Sequence, residues 1–403
     1  MRFALIHTYE TTSALKHLRL IFSVILFVLC QSTSIYAQDT SSFSSEGNTE
    51  NFTQTSEKQQ SNKHKRSKLY RFFQNFNAID TTYYIEPNHY NFTAMAQASN
   101  LLNFYTIYGK NEDGKKQRIS FSTKPRLKVG PYIGWHWAFL GYQFDIGRTY
   151  TSNKSQQYNI SLYSSTIGID YIHNTNNGDF YINRTKGFGK ENTKNIKDVH
   201  FDGLKTYTHS LNLYYIFNHK KFSYPAAFSQ TTQQKKSCGS WNMGVVVAHQ
   251  KLSFDHTKLP SSLLSTENGG TGLYDELKFN NINFYDYSLS FGYAYNWVFA
   301  PNWLFAASAS PAIGYKFAKG QSIDHKEIFS SHNINFDVIG RVGLVWNTNR
   351  FFAGFSGIIH AYTYRKSRFQ LSNAIAMTNL YFGINFMPKG HYRRTNPQKF
   401  KKW

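Results

Sequence analysis

Serine and histidine side chains that could cooperate in hydrolysis occur in the chain, but their spacing keeps them apart. Ser356 and His360 lie four residues apart on a segment with strand-like alternation, so both point to the same face. At roughly 3.3 Å of rise per residue they would be about 13 Å apart, too far for the hydroxyl to donate to the imidazole. His209 and Ser210 point to opposite faces of their strand. His249 lies on the apolar face of its strand. We therefore predict no catalytic residues.

Metal and cofactor chemistry also lacks a recognisable pattern. The 15 histidines are scattered, with no HExxH motif and no cluster of Cys and His. The sequence has neither a phosphate-binding loop nor a dinucleotide fingerprint, and its 23 carboxylates are too sparse to favour a paired-acid glycosidase. We predict no metal site, no cofactor and no enzyme. A membrane-embedded hydrolase is retained only as a minor alternative.

A different set of polar residues suggests a transport or binding role. Six basic side chains fall on strand faces that are predicted to point inward, against three inward acids. The basic residues are Arg118, Lys124, Arg126, Lys128, Lys316 and Arg341, and the acids are Asp145, Asp286 and Asp337. A basic lumen would favour small anions through its field. Ion pairs inside a narrow barrel would instead fill and close it.

The elements that position these residues are predicted from the stretch 283–317. Aromatic and aliphatic residues occupy every second position from Tyr285 to Phe299, and small polar residues lie between them. The same alternation resumes after a break at 300–302. Period-2 alternation indicates β-strands with one apolar and one polar side. A small, polar side opposite a long aromatic side is typical of a membrane hairpin with lipid outside and water inside.

The alternation recurs along the chain and predicts about twelve antiparallel strands in an up-and-down transmembrane β-barrel. The predicted strands lie near 90–98, 118–135, 138–147, 157–173, 179–185, 206–217, 240–254, 283–299, 302–317, 333–346, 350–363 and 377–387. Pro125 and Pro131 predict a bulge or a split in the second strand, because proline cannot donate to a ladder. Bulges are also predicted at 163–165 and at Pro311.

The connections alternate between short and long. Short turns at 136–137, 174–178, 300–302 and 347–349 are predicted to face the periplasm, with long loops outside the cell. Five tryptophans flank these turns and predict an aromatic girdle at one membrane interface: Trp135, Trp137, Trp297, Trp303 and Trp346.

The N-terminus predicts export. A basic region, the apolar run at 20–29 and a small-residue site before Gln38 indicate a signal peptide over 1–37. Residues 38–77 form a polar and then basic linker that we expect to be disordered. Cleavage would leave Cys238 as the only cysteine, so no internal disulfide is expected. The net charge of +22 could suit nucleic acid, but export excludes it as a partner.

One connection, 218–239, is long where a short turn is expected. It reads NHKKFSYPAAFSQTTQQKKSCG. With the pieces KVGPYIGWHWAFLGYQFDI and TTYYIEPNHYNFTAMAQ, it resembles an uncharacterised domain-of-unknown-function family of outer-membrane barrels of Gram-negative bacteria. The resemblance implies a barrel over 78–388 in the cell outer membrane and carries no activity with it. A basic tail, expected to be solvated, follows at 389–403.

The predicted function is a passive channel or transport barrel with a basic lumen. The alternative is a non-conducting structural or partner-binding barrel that uses its external loops or the 218–239 insert. Expected partners are outer-membrane lipid and lipopolysaccharide, the barrel-assembly machinery and a small anionic solute.

Overall fold

The computed structural model describes residues 78–135, 138–146, 155–267, 269–322, 328–366 and 368–395. The signal peptide and linker predicted for 1–77 lie outside these residues, as do Trp137 and the last eight residues of the tail.

Eighteen strands and a few short helices make up the described residues. The strands are β1 (Ile85–Pro87), β2 (Tyr90–Lys110), β3 (Lys116–Ser122), β4 (Lys128–Trp135), β5 (Ala138–Gly141), β6 (Phe144–Asp145), β7 (Ser155–Tyr163), β8 (Ile167–Asn177), β9 (Phe180–Lys186), β10 (Val199–Phe201), β11 (Leu204–Ile216), β12 (Thr232–Gln234), β13 (Cys238–Phe254), β14 (Phe279–Ala300), β15 (Trp303–Ser322), β16 (Ile328–Asn347), β17 (Phe351–Lys366) and β18 (Phe369–Pro388). The α-helices are α1 (Lys190–Thr193), α2 (Tyr224–Phe228), α3 (Ser261–Leu264) and α4 (Gly390–Thr395), and 3-10 turns span His256–Lys258 and Asp275–Leu277. No described helix is both long and apolar enough to span a bilayer.

The strands form one large antiparallel sheet of 16 members and a separate pair, β1 with β12. The large sheet runs in the order β10-β9-β3-β2-β18-β17-β16-β15-β14-β13-β11-β8-β7, and β4 joins it beside β2 and carries β5 and β6. From β11 to β18 the neighbours in the large sheet are consecutive in the chain, apart from the small strand β12. This part of the sheet therefore has the predicted up-and-down order.

The sheet curls on itself around a polar interior. Strands β8 and β16 are five places apart in the sheet, yet Arg341 of β16 reaches Asp170 of β8. The described residues contain no backbone ladder between β6 and β7, so backbone pairing does not close the sheet, but side chains at the start of β4 reach β7. Arg126 Nη1 donates to Ser155 Oγ at 2.9 Å, and Lys128 Nζ donates to the Gln157 amide oxygen at 3.1 Å. We call this curled sheet the barrel.

The two ends of the barrel differ. At the end that we call the turn end, β14 passes to β15 through 301–302 and β16 passes to β17 through 348–350. These are the predicted tight turns, and Asn302 and Asn349 supply the positive φ of 68° and 70° that they require. The opposite end, which we call the loop end, carries the connections at 187–198 and 255–278.

The prediction for 157–173 was wrong. A turn at 164–166 replaces the expected bulge and divides the region into β7 and β8. The Ser164 hydroxyl oxygen accepts from the backbone N–H groups of Thr166 and Ile167, which closes the turn without glycine or proline. The extra hairpin reverses the chain once more. Residues 174–177, predicted as part of a short periplasmic turn, are instead the last residues of β8, and this strand ends toward the loop end.

The proline predictions had mixed outcomes. Pro125 lies between β3 and β4, as the predicted split requires, and Pro131 stays within β4 opposite Ala96. At Pro311 the expected bulge is absent, because the register between β14 and β15 is the same on both sides of it. One position away, Gly292 lies across from Ser310 and lets the two strands approach closely. A Cβ at that position would be 2.5 Å from the Ala309 carbonyl oxygen.

The tail is not simply solvated at its start. Its first described residues form α4, and the ring of Tyr392 lies 4.0 Å from the ring of His89, centroid to centroid. The Lys389 ammonium donates to the Asn88 carbonyl at 2.8 Å. Burial lowers the pKa of Lys389.

Candidate functional site

The middle of the barrel interior contains a buried ion cluster on β14, β15 and β16. Asp286 and Lys316 are directly paired across β14 and β15, and the alternation of both strands turns them inward. Lys316 Nζ lies 3.2 Å from Asp286 Oδ2 and 2.7 Å from Asp337 Oδ1, and it donates to the Thr363 carbonyl at 2.8 Å. The Lys316 side chain is only 3% exposed. Its charge is thus matched by two carboxylates.

A second buried ion pair joins Arg341 of β16 to Asp170 of β8 across the interior. The Arg341 guanidinium donates to Asp170, and both side chains are nearly inaccessible. Asn212 Nδ2 and Ser161 Oγ also donate to the Asp170 carboxylate, at 3.2 and 2.8 Å. The Arg341 guanidinium lies 4.9 Å from the centroid of the Tyr214 ring, within the range of a cation–π contact. The pair is therefore hydrogen-bonded as well as charge-matched.

The candidate hydrolytic pair is also buried in the interior. Ser356 and His360 are 6% and 1% exposed. Ser356 Oγ accepts from Asn379 Nδ2 at 3.3 Å, and neither ring nitrogen of His360 has a hydrogen-bond partner among the described residues. The described geometry thus gives no serine–histidine contact of the kind that activates a nucleophile. The described residues also contain no group of three metal-ligating side chains.

The segment 217–237, which we call the plug, enters the barrel from the turn end. Pro225 occupies the first turn of α2, and Ser223 caps the helix by accepting from the Ala226 N–H at 3.3 Å. Phe222 and Tyr224 are buried against the inward-facing Tyr214. The Tyr224 ring reaches within 5.9 Å of the Arg341 guanidinium. The plug therefore extends up to the second ion pair.

Glutamines fix the plug to its surroundings. Gln230 Nε2 donates to the Tyr381 hydroxyl at 2.7 Å, and Gln233 Nε2 donates to the Asn347 carbonyl at 2.6 Å. Gln234 Nε2 donates to the Lys221 carbonyl at 2.6 Å, while its Oε1 accepts from Asn296 Nδ2 at 3.1 Å. Strand β12 of the plug also pairs with β1. The insert predicted at 218–239 is thus an internal element of the barrel.

At the loop end, the connections and strand ends fold over a buried apolar cluster, which we call the cap. Its members come from ten strands and from the connections: Tyr105, Ile107, Ile119, Phe121, Phe180, Ile182, Phe188, Ile196, Phe201, Leu204, Leu252, Phe254, Leu259, Leu263, Leu273, Leu277, Phe279, Ile282, Phe284, Ala318, Tyr364 and Leu371. Gln117 is fully buried among these elements. Its Nε2 donates to the Gly272 carbonyl at 2.6 Å and its Oε1 accepts from the Tyr274 N–H at 2.9 Å. The cap covers the loop end of the interior.

An ion pair at the edge of the cap joins two connections. Lys258 Nζ donates to Asp202 Oδ2 at 2.9 Å. This hydrogen bond holds the pKa of the Asp202 carboxyl below its usual value.

The structure brings together only some of the six predicted lumen residues. Lys316 and Arg341 lie in the two interior ion pairs, while Arg126 pairs with Asp179 and Lys128 approaches Gln157 between β4 and β7. Lys124 is exposed, with its ammonium 4.1 Å from the Tyr181 ring centroid. Arg118 lies on the face of β3 opposite the buried Ile119 and Phe121.

The described tryptophans of the predicted girdle all lie near the turn end. Trp135 is paired with Phe92, and Trp303 is paired with Trp346 across β15 and β16. Trp297 is 53% exposed on the outer face of β14. Trp241, 52% exposed, joins them on β13.

Sequence reasoning missed Asp170 and the interior role of the plug. Because a bulge was expected at 163–165 in place of a turn, the inward and outward faces of β8 could not be assigned. The inward direction of Asp170 was therefore missed. The plug offered a signal in its Ser223-Tyr224-Pro225 start, which is a helix-capping pattern.

A family model described as a domain of unknown function, DUF4421, matches residues 78–386. The chain belongs to this family. The family predicted from the sequence is confirmed, and the match spans the barrel and the plug. A comparison with curated proteins gave no significant match.

Solved structures similar to the chain include several outer-membrane proteins. The outer membrane protease OmpT of Escherichia coli is 10% identical, with 75% of this chain and 98% of that chain covered and a TM-score of 0.37. The translocator domain of the autotransporter NalP of Neisseria meningitidis is 6% identical, with 73% and 90% covered and a TM-score of 0.24. The toluene transporter TodX of Pseudomonas putida is 8% identical, with 74% and 91% covered and a TM-score of 0.19. At these scores the similarities carry no argument about activity.

Proposed function

We propose that the chain is an outer-membrane barrel that is closed by its own residues and acts by binding at its surfaces rather than by conducting solutes. The observation that carries the proposal is the double closure of the interior. The plug fills the turn end up to Arg341, the cap covers the loop end, and ion pairs occupy the space between them.

The outer surface supports the membrane location. Outward residues of β14 from Tyr285 to Phe299 are all large, apolar or aromatic and exposed. Tyr285 and Trp297 lie about 12 residues apart, which is roughly 40 Å along a strand. At the usual barrel tilt of about 40° this corresponds to roughly 30 Å along the membrane normal, close to the thickness of a bilayer core. The turn end would then face the periplasm.

The ion pairs weigh against the basic lumen that a channel would use. Lys316 and Arg341 are each bound to carboxylates, so their fields are largely cancelled within the interior. Conduction would also require the plug to leave, and with it the buried Phe222 and Tyr224.

The surfaces available for binding are the two covered ends. The plug exposes Lys220, Lys221 and Lys236 toward the turn end, and α4 adds Arg393 and Arg394 at the start of the tail. This basic surface suits an anionic partner in the periplasm. The cap presents its connections to the outside of the cell.

Conductance in a planar bilayer tests the proposal. The full mature chain, refolded in detergent and showing different gel mobility before and after boiling, should insert without producing steady conductance steps. Quenching of tryptophan fluorescence by brominated lipid verifies insertion, and an open porin in the same membranes provides the positive control. Steady, anion-selective steps from the inserted protein would overturn the closed barrel and establish the channel.

The hydrolase alternative is tested with the same preparation. We expect no release of fatty acid from phospholipid vesicles. Release that disappears in both Ser356→Ala and His360→Ala variants, while the gel shift is kept, would establish an enzyme instead.

A further inference from the structure

A shallow depression of about 520 Å³ lies on the outer surface of the barrel near the loop end. Strands β8, β11, β13, β14 and β15 line it. Three lysines contribute to the lining, Lys205, Lys251 and Lys319, and all three are exposed. No acidic side chain is found among the described residues that line it. The depression therefore combines positive charge with a concave shape.

The strand register places the three lysines close together. Lys205 is paired with Ser253 of β13, and Lys251 lies two residues before Ser253 on the same face. Lys251 and Lys319 are both paired with Asn283 of β14, from its two sides. With strands about 4.8 Å apart, Lys251 and Lys319 start from backbone positions roughly 10 Å apart. Long, flexible lysine side chains starting this close can meet on one anionic group.

A row of histidine and aromatic rings lies directly beneath the lysines, on the side of the membrane centre. The register aligns His173, His209, His249, Tyr285 and Phe317 across the same five strands. The His249 and Tyr285 rings stack at 4.4 Å between centroids. Amphipathic rings of this kind occupy the level of the lipid headgroups.

Below the ring row the surface becomes apolar. Val247, Tyr287 and Tyr315 form the next outward row, followed by Val245, Leu289 and Ile313. Leu289 is 60% exposed, as a lipid-facing side chain would be. A molecule lying against this surface would therefore meet hydrocarbon-compatible side chains, then rings, then lysines.

We infer that this depression binds the phosphorylated headgroup of a lipid in the outer leaflet, with its acyl chains lying along the apolar rows below. The inference rests on the proposed membrane location, since only a membrane barrel presents this surface to lipid. A lipid fits better than a free anion, because the lysines lie directly above the apolar rows, which can hold the acyl chains of the same molecule. The amide side chains of Asn281 and Asn283 add neutral donors beside the lysines for the phosphate and its sugar.

Lipid counting by native mass spectrometry tests the inference. The full mature chain, refolded in detergent, is titrated with diphosphorylated lipid A and, separately, with the same lipid after removal of its phosphates. The wild-type chain should retain the phosphorylated lipid. The K205Q/K251Q/K319Q variant should bind it about tenfold to a hundredfold more weakly.

The variant K115Q/K194Q/K197Q is the matched control. It removes the same charge from exposed lysines at the loop end of the barrel, outside the depression, and it should bind lipid A as the wild type does. Equal retention by the wild type and K205Q/K251Q/K319Q would overturn the site. Two results together would overturn the lipid site. They are displacement of bound lipid A by millimolar inorganic phosphate and equal retention of the phosphorylated and dephosphorylated lipids, and they would assign the lysines to a free anion.

The outcomes separate this inference from the proposed function. Conductance by the wild-type chain would overturn the closed barrel and leave the lipid counts unchanged. A chain that stays soluble without detergent and shows no gel shift would remove the membrane location and the lipid site together. Loss of lipid in K205Q/K251Q/K319Q but not in the control variant supports the site, whether or not the barrel conducts.

Discussion

At the scale of single residues, the interior is dominated by charges that satisfy one another. Lys316 has two carboxylates within reach, and Asp170 accepts from Arg341, Asn212 and Ser161. Buried charges of this kind add little net stability relative to apolar residues, but removing one partner is costly. In a basic lumen, Lys316 and Arg341 would bind solute anions. Here both are already paired with carboxylates of the protein.

The Arg341–Asp170 pair can be tested by a double-mutant cycle. Arg341→Met leaves the Asp170 carboxylate buried without its cation and should lower the free energy of unfolding by about 3–5 kcal/mol. Adding Asp170→Asn should restore at least half of that loss, because the uncompensated charge is gone. Urea unfolding of the refolded protein in lipid measures both. The outward Val342→Met serves as the control and should change little; purely additive losses in the double variant would disprove the coupling.

At the scale of elements, the plug distinguishes this barrel from one with simple turns. It replaces a tight turn between β11 and β13 with a capped helix and a strand that pairs with β1. Its aromatic residues pack beneath Arg341 and its glutamines bind the surrounding strands. The plug is therefore held by apolar burial and by hydrogen bonds at several independent points.

The only cysteine after residue 37 reports on the plug. Cys238 is half-buried beside it, and Asn218 Nδ2 donates to its sulfur at 3.2 Å. Truncating Phe222 and Tyr224 to alanine should remove several kcal/mol of packing and make local opening more frequent. We expect maleimide to label Cys238 at least about tenfold faster in the folded double variant than in the wild type.

The control for this labelling experiment is Tyr83→Ala, which truncates an exposed aromatic side chain near the plug. Its labelling rate should equal that of the wild type. If Phe222→Ala/Tyr224→Ala also labelled at the wild-type rate, the plug would not be the element that shields the turn end.

At the scale of the whole molecule, the surface is inverted relative to that of a soluble protein. Large apolar side chains are exposed along the outer face of β14, β15 and β16, whereas Asp286, Lys316 and Asp337 are buried. In water such a surface would drive aggregation. In a bilayer it is matched by lipid, and the buried charges are paired inside.

A charge placed in the middle of this surface tests the membrane location. Leu289→Arg should lower the free energy of unfolding in lipid by about 2–4 kcal/mol, because the guanidinium would sit near the bilayer centre. Asn281→Arg, on the same outer face of β14 but at the loop end, should cost about 0–1 kcal/mol. Unfolding in lipid vesicles measures both changes. Equal stability of the two variants, together with solubility in plain buffer, would favour a soluble β-protein.

Prediction from the sequence succeeded where a signal was local. The aromatic alternation around Tyr293, the tight turns at Asn302 and Asn349 and the split at Pro125 could all be read from neighbouring residues. The turn at 164–166 was missed because Ser164 closes it through its hydroxyl, without glycine or proline among the turn residues. The bulge expected at Pro311 is absent, since the register between β14 and β15 is the same on both sides of it, and that register depends on a strand pairing the local sequence does not record.

The sequence by itself determined the faces of the strands, because alternation with a period of two depends only on adjacent residues. It therefore indicated a barrel with an apolar outside, and it placed Lys316 and Arg341 inside. Only the tertiary structure decided that these charges are neutralised. Arg341 meets a carboxylate 171 residues away, and the plug closes the turn end through contacts with strands distant in the chain. Such pairings depend on how the sheet curls, which no local pattern records.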